Sequence, residues 1–188
     1  MNNPAHKIAS YEDLFALPDN VVGQIIHGQL LTYPRPAPRH ALASSGLGGE
    51  LMAPYHRGRG GPGGWWILDE PELHLQAHIL VPDLAGWRRE RMPTLPETAY
   101  FEIAPDWLCE VLSPATARVD RIQKMPIYAQ CGVSYVWLLD PDLRTLEVFV
   151  LDKGYWRLES VFQNSDVVSA VPFDATGFSL ADLWPPEP

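Results

Sequence analysis

The chain reads as a single α/β domain, and three patterns point that way. A strand–helix–strand succession fills residues 107–139, three consecutive strand patterns precede it, and a paired strand pattern follows. One domain is the expectation for 1–188, and 46% hydrophobic content with seven tryptophans supplies a sizeable core. The nineteen prolines and fourteen glycines follow no fixed period, so the sequence holds no internal repeat.

In chain order, Ser10-Tyr-Glu-Asp13 has the spacing of a capping box and predicts a short helix over 11–17, stopped by Pro18. Residues 24–31 read as a hairpin with His27-Gly28 in a two-residue turn that needs positive φ. A helical pattern covers 40–55. Gly46, Gly48 and Gly49 dilute it, each at a cost of up to ~1 kcal/mol against alanine, and predict close packing on a sheet. The Arg57-Gly-Arg-Gly-Gly-Pro-Gly-Gly64 stretch lacks the Gly-Lys-Ser/Thr ending of a phosphate-cradling loop and is read as a flexible turn.

Residues 65–69, 72–76 and 78–87 are predicted as consecutive antiparallel strands, the last with Ile79, Val81, Asp83, Ala85 and Trp87 on one face. In the strand 107–112, Trp107, Cys109 and Val111 share one face, and Leu108, Glu110 and Leu112 the other. Ser113-Pro114 ends it. The helical pattern that follows has an apolar stripe of Val119, Ile122, Pro126, Ala129 and Val133. Asp120, Lys124 and Tyr128 lie on another stripe, at i, i+4 and i+8. Pro126 predicts a kink near Met125 or the first turn of a new helix. Gly132 stops that helix, and 133–139 is an apolar strand of the kind buried on both faces. Residues 146–151 and 156–162 form a hairpin through Asp152-Lys153-Gly154, and Ser179-Leu-Ala-Asp182 opens a last short helix.

Asp83 and Glu110 are each a lone acid on an apolar strand face. Such a carboxylate is costly to bury ionised unless a cation, a metal or a hydrogen-bond donor meets it. Two of them on neighbouring strands can converge on the few oxygen ligands that a divalent cation takes, with water and phosphate completing the shell. Pairing of both acids with arginines is the structural alternative. Glu50 either reaches such a site or lies on a solvated helix face. His27 is weighed as a ligand against a solvated turn residue. His6, His56, His74 and His78 lack the spacing of a zinc helix, and Ser113 has no nucleophile elbow around it, which excludes the zinc and serine hydrolases. Cys109 and Cys131 are too few for a disulfide scaffold and are expected to be unpaired.

A net charge of −9 argues against a generic polyanion binder. The positive charges nevertheless cluster, as Arg57 and Arg59, as Arg88, Arg89 and Arg91, and as Arg118, Arg121 and Lys124, so a local basic rim can coexist with an acidic whole. No basic segment precedes an apolar run at the N-terminus and no apolar stretch approaches the ~18 residues of a membrane span, so a cytoplasmic protein without membrane contact is expected.

Several of these runs carry a resemblance. They are Val81-Pro82-Asp83, Pro105-Asp106-Trp-Leu-Cys-Glu110-Val-Leu-Ser-Pro114, Asp120-Arg-Ile-Gln-Lys124, Tyr128-Ala129, Gly132-Val133 and Trp137-Leu-Leu-Asp-Pro141. Together they resemble the Uma-two family, assigned as restriction endonucleases, a branch of the PD-(D/E)XK nuclease superfamily. The likeness spans nearly the whole chain, since the N-terminal hairpin, His40, Pro172-Phe173 and Leu183-Trp184 also fit. It implies a restriction-endonuclease-like core, a mixed sheet flanked by helices, with extra N-terminal and C-terminal hairpins. It further implies that Asp83 and Glu110 hold Mg²⁺, or Mn²⁺, and that both act in cleaving DNA, with no small-molecule cofactor. The lysine of the standard motif falls at Leu112, and the resemblance moves its role to Lys124 on the following helix. The family's YELIDGE-like hairpin carries acids where this chain has Gln24, His27 and Gln29, so a supporting acidic ligand is missing. A small domain offers little surface for grasping two strands, which makes a homodimer the expected state. The alternatives are a nuclease fold kept as a binding or regulatory module, and an acidic scaffold with no nucleic-acid partner.

Overall fold

The computed structural model describes residues 8–18 and 20–186, and His6 lies outside them. Helix α1 (Tyr11–Phe15) is shorter than expected, with the Ser10 backbone N–H donating to the Asp13 carboxylate at 2.8 Å. Strands β1 (Val21–Ile26) and β2 (Gln29–Pro34) pair as a hairpin, and His27 and Gly28 take φ of 51° and 73°, as its two-residue turn demands. Helix α2 (Pro38–Leu51) buries Ala43, Leu47 and Leu51, one residue per turn, and runs on through a wider π-helical turn, Met52–His56, that buries Tyr55. Its glycines permit close approach on two sides. A β carbon at Gly46 would stand 2.9 Å from Leu183, and one at Gly48 would stand 3.4 Å from Leu84.

Next come β3 (Trp65–Asp69), β4 (Leu73–Leu75), β5 (His78–Leu80), β6 (Leu84–Arg88) and β7 (Trp107–Val111). The crossover consists of α3 (Ala117–Val119), a π-helical turn (Asp120–Lys124) and α4 (Met125–Gln130). It leads to β8 (Tyr135–Asp140), the hairpin β9 (Thr145–Asp152) and β10 (Tyr155–Gln163), the short pair β11 (Val167–Val168) and β12 (Phe178–Ser179), and a 3₁₀ turn (Leu180–Leu183). The main sheet is mixed, in the order β10-β9-β8-β7-β6-β3. Its β7–β8 pair is parallel, because a helical crossover joins those two strands, and the other pairs are antiparallel. A second, antiparallel sheet has the order β2-β1-β5-β4.

That second sheet corrects the expectation of three strands in succession. Residues 78–87 are two strands in different sheets, and β3 pairs with β6 rather than with β4. The chain crosses from one sheet to the other at Val81-Pro82-Asp83. Proline has no N–H for a ladder, so pairing lapses there and the alternation restarts at Leu84. Asp83 therefore sits at the crossing and not on a strand face.

The alternation on β7 is as expected. Trp107, Cys109 and Val111 join one core with α2, Trp137, Leu139 and the C-terminal turn, while Leu108 and Leu112 join the other with α4, Val136, Leu138 and the second sheet. Both cysteines are free thiols, Cys109 buried. The crossover helix turns its Asp120, Lys124 and Tyr128 stripe toward β7. Of the apolar stripe, Ile122 is 67% exposed and Pro126 is exposed while Val133 is buried, and Asp120, Lys124 and Tyr128 are buried beside Met125 and Ile127. The polar stripe turns inward because Glu110 waits on the strand beneath it. Pro126 takes the first turn of α4, where its missing N–H costs nothing.

Candidate functional site

Glu110 is an interior residue of β7, 1% exposed, and Lys124 closes the π-helical turn above it, 3% exposed. Lys124 Nζ donates to Glu110 Oε2 at 3.0 Å and lies 3.0 Å from Asp120 Oδ1. That second contact is an ion pair without hydrogen-bond geometry, so Asp120 Oδ1 is buried and carries no hydrogen bond. Tyr128 Oη donates to Glu110 Oε1 at 2.5 Å, so both oxygens of Glu110 accept from donors.

Asp83 reaches the same place from the crossing between the sheets. The antiparallel register Leu84↔Cys109, carried one step further, sets Asp83 alongside Glu110. Its Oδ2 accepts the Val111 N–H at 2.7 Å, which ties it to β7 where the ladder has lapsed. Its Oδ1 lies 3.3 Å from Nε2 of His40, in the first turn of α2, and His40 Nδ1 is buried without a partner. The crossing itself is pinned to β1, since the buried Gln24 accepts the Val81 N–H through Oε1 at 3.1 Å.

A cavity of about 330 Å³ opens over these groups. Asp83, Glu110, Asp120, Lys124, His40 and Gln24 line it together with Arg35, Glu70, Ser113 and Thr116, and Val22, Tyr33, Pro34, Pro36, Val81 and Pro114 form its apolar walls. Burial raises the Asp83 carboxyl to about 6, against the pull of His40, the Val111 N–H and Lys124. Burial likewise pushes Glu110 to about 8, opposed by Lys124 and the Tyr128 hydroxyl. Burial works against the Lys124 ammonium, but Glu110 and Asp120 outweigh it and hold the group charged, above its ordinary range. Since Glu110 accepts on both oxygens, its hydrogen bonding fits the carboxylate, and the ionised pair is the state that the geometry specifies.

Four carboxylates, Glu70, Asp83, Glu110 and Asp120, thus line the cavity with Lys124, Arg35 and His40, which leaves it an excess of hard oxygen donors. Among the described residues no three acids, histidines or cysteines are gathered tightly enough to cage an ion. The donor set is unlike a zinc or calcium cage and fits Mg²⁺, which keeps several waters and takes one or two carboxylates together with substrate phosphate.

The family model for Uma2, described as "Putative restriction endonuclease", matches residues 11–182. The chain belongs to the Uma2 family. A solved structure described as a putative nuclease belonging to DUF820, from Anabaena variabilis, is similar to it with a TM-score of 0.74 and 25% identity, covering 92% of this chain and 95% of that one. No curated protein matches. The fold is accordingly the nuclease-like one that the resemblance implied.

In this Uma2 chain Asp83, Glu110 and Lys124 line one cavity, although Asp83 arrives on a crossing segment instead of a strand. Arg118 and Arg121 do not partner Glu110, and Arg121 pairs with Glu147 on β9. Glu50 is apart from the site and lines a separate cleft with Arg59 and Thr176. Gln29 is exposed at the start of β2, and His27 is a turn residue whose backbone N–H donates to His78 Nδ1. Of the clustered cations, Lys124 lines the cavity. Arg88 and Arg89 lie over Trp65 and Trp66, at 4.6 and 4.1 Å, Arg91 pairs with Asp106, and Lys124 is buried. Sequence reasoning missed His40 as a partner of Asp83, because a lone histidine in a first helical turn has no pattern around it. Asp120 and Tyr128 were signalled by their four-residue spacing from Lys124. Among the described residues no helix is long and apolar enough to cross a membrane.

Proposed function

We propose that this Uma2 protein is a Mg²⁺-dependent endonuclease that hydrolyses phosphodiester bonds in DNA. The observation that carries this reading is the convergence of Asp83, Glu110 and a fully buried Lys124 on one cavity. Asp83 and Glu110 would hold the ion, which when bound polarises the scissile phosphate and acidifies a water. The protein's own groups prepare that place. His40 and the Val111 N–H fix the two oxygens of Asp83, and Tyr128 and Lys124 fix those of Glu110. Clamped between Glu110 and Asp120, Lys124 has no freedom to steer a water, so its part is to offset negative charge as the phosphate enters and reacts. The apolar walls exclude bulk water and strengthen each of these interactions.

The test is cleavage of plasmid DNA with Mg²⁺ or Mn²⁺ by the wild type, Asp83→Asn and Glu110→Gln. Nicking or linearisation by the wild type that chelator stops, and a loss of at least a hundredfold in either variant, is the expected result. Cleavage that survives both substitutions would remove these residues from the chemistry. A second reading, a nuclease fold that binds DNA without cutting it, is favoured by the two donors already satisfying Glu110 and by Gln24 where the family carries an acid. A wild type that binds DNA and never cuts it with either ion supports that one.

A further inference from the structure

Building on the nuclease reading, we propose that the cavity takes one unpaired nucleotide, so that the substrate is single-stranded DNA or a duplex carrying an unpaired segment. Three observations converge on this. The carboxylates lie on the floor of a space of about 330 Å³, at the small end of the range for ligand pockets, which is room for one nucleotide-sized unit and none for a stacked base pair. A nucleotide that carries its base into this space above Glu110, 1% exposed, has left the stack. In a duplex that costs a few kcal/mol, and in an unpaired strand almost nothing.

The walls offer what an unpaired base uses. Tyr33, on β2, lines the cavity with Pro34, Pro36 and Pro114, and an aromatic ring beside apolar surface is the usual platform for a splayed base. The ring is near the reacting groups, since its hydroxyl feels the charges of Lys124, Asp120 and Glu110.

Charge supplies the third argument. Duplex affinity comes chiefly from lysines and arginines set against phosphates, and this chain carries −9 overall. Arg88 and Arg89 pack on tryptophans and Arg91 and Arg121 pair with acids, while Arg35 is the arginine on the cavity wall. A protein so built gains more from stacking on an exposed base than from tracking a double-stranded backbone.

The experiment measures binding by fluorescence anisotropy, in Ca²⁺, of one labelled sequence as a single strand, as a blunt duplex and as a duplex with an unpaired flap, followed by cleavage of the same three in Mg²⁺. The single strand and the flap should bind at least tenfold more tightly than the duplex. Tyr33→Ala should weaken single-strand binding about tenfold, the size of one lost base–aromatic stack, while Tyr33→Phe keeps it. Equal or tighter duplex binding, or single-strand binding indifferent to Tyr33→Ala, overturns the proposal. The nuclease reading is separable from it: single-strand preference without cleavage refutes only the chemistry, and faster duplex cleavage refutes only the unpaired-strand substrate.

Discussion

Asp83 shows most clearly what one residue's surroundings do here. Its ordinary value of 3.8 rises to about 6, burial first, so the folded chain holds this proton more tightly than the unfolded chain. The stability linked to that proton is fully present below about 3.8 and is lost as pH rises through about 6. Asp83→Asn carries no such titration. In ion-free protein the stability of the variant relative to the wild type should therefore climb between these two pH values, by at most ~3 kcal/mol at ~1.4 kcal/mol per unit. Chemical denaturation across that window reads it, and a flat difference would show that Asp83 titrates normally. Asp83 and Glu110 were legible from the sequence because each is a single acid where alternation calls for an apolar side chain. His40 and the buried amide of Gln24 were not, since their partners, Asp83 and the Val81 N–H, lie more than forty residues away in the chain.

Among the elements, the crossover helix taught the most. Its two stripes were visible in the sequence, and it is the polar one that the structure buries against β7. The facing strand carries an acid, and a buried carboxylate draws Lys124 and Tyr128 toward it more strongly than Ile122 is drawn. The orientation makes two neighbouring isoleucines unequal. Ile122→Ala, at a 67% exposed position, should change stability by no more than ~0.5 kcal/mol, whereas Ile127→Ala, 1% exposed, should cost ~2–5 kcal/mol. Denaturant midpoints of the two variants decide it, and comparable losses would mean that the Ile122 stripe packs against the sheet instead. The strand expected over 78–87 is in fact two. Apolar alternation runs unbroken through Val81-Pro82-Asp83, and only Pro82 signals that the ladder stops and the chain changes sheets.

At the scale of the whole molecule, the site exists because two sheets meet. The second sheet brings β1 and its Gln24 against the crossing through the pairing Ile25↔Ile79, and α2 brings His40 from the opposite side. The parallel unit β7–α4–β8 was readable because its parts adjoin in sequence. The second sheet was not, because pairing between distant strands leaves no local pattern. Clustering in sequence likewise says nothing of whether a guanidinium faces solvent or lies on a tryptophan ring, as those of Arg88 and Arg89 do. What this architecture delivers is a cavity where carboxylates outnumber cations, and its central claim is that a divalent ion belongs there. Isothermal titration of the ion-free protein with Mn²⁺, at pH 8 and pH 6, in the wild type and Asp83→Asn, tests that claim most directly. One site is expected, lost in Asp83→Asn and weaker at the lower pH, because the proton that Asp83 holds near 6 competes with the ion. No binding at millimolar Mn²⁺, or binding equal in the variant, would contradict it.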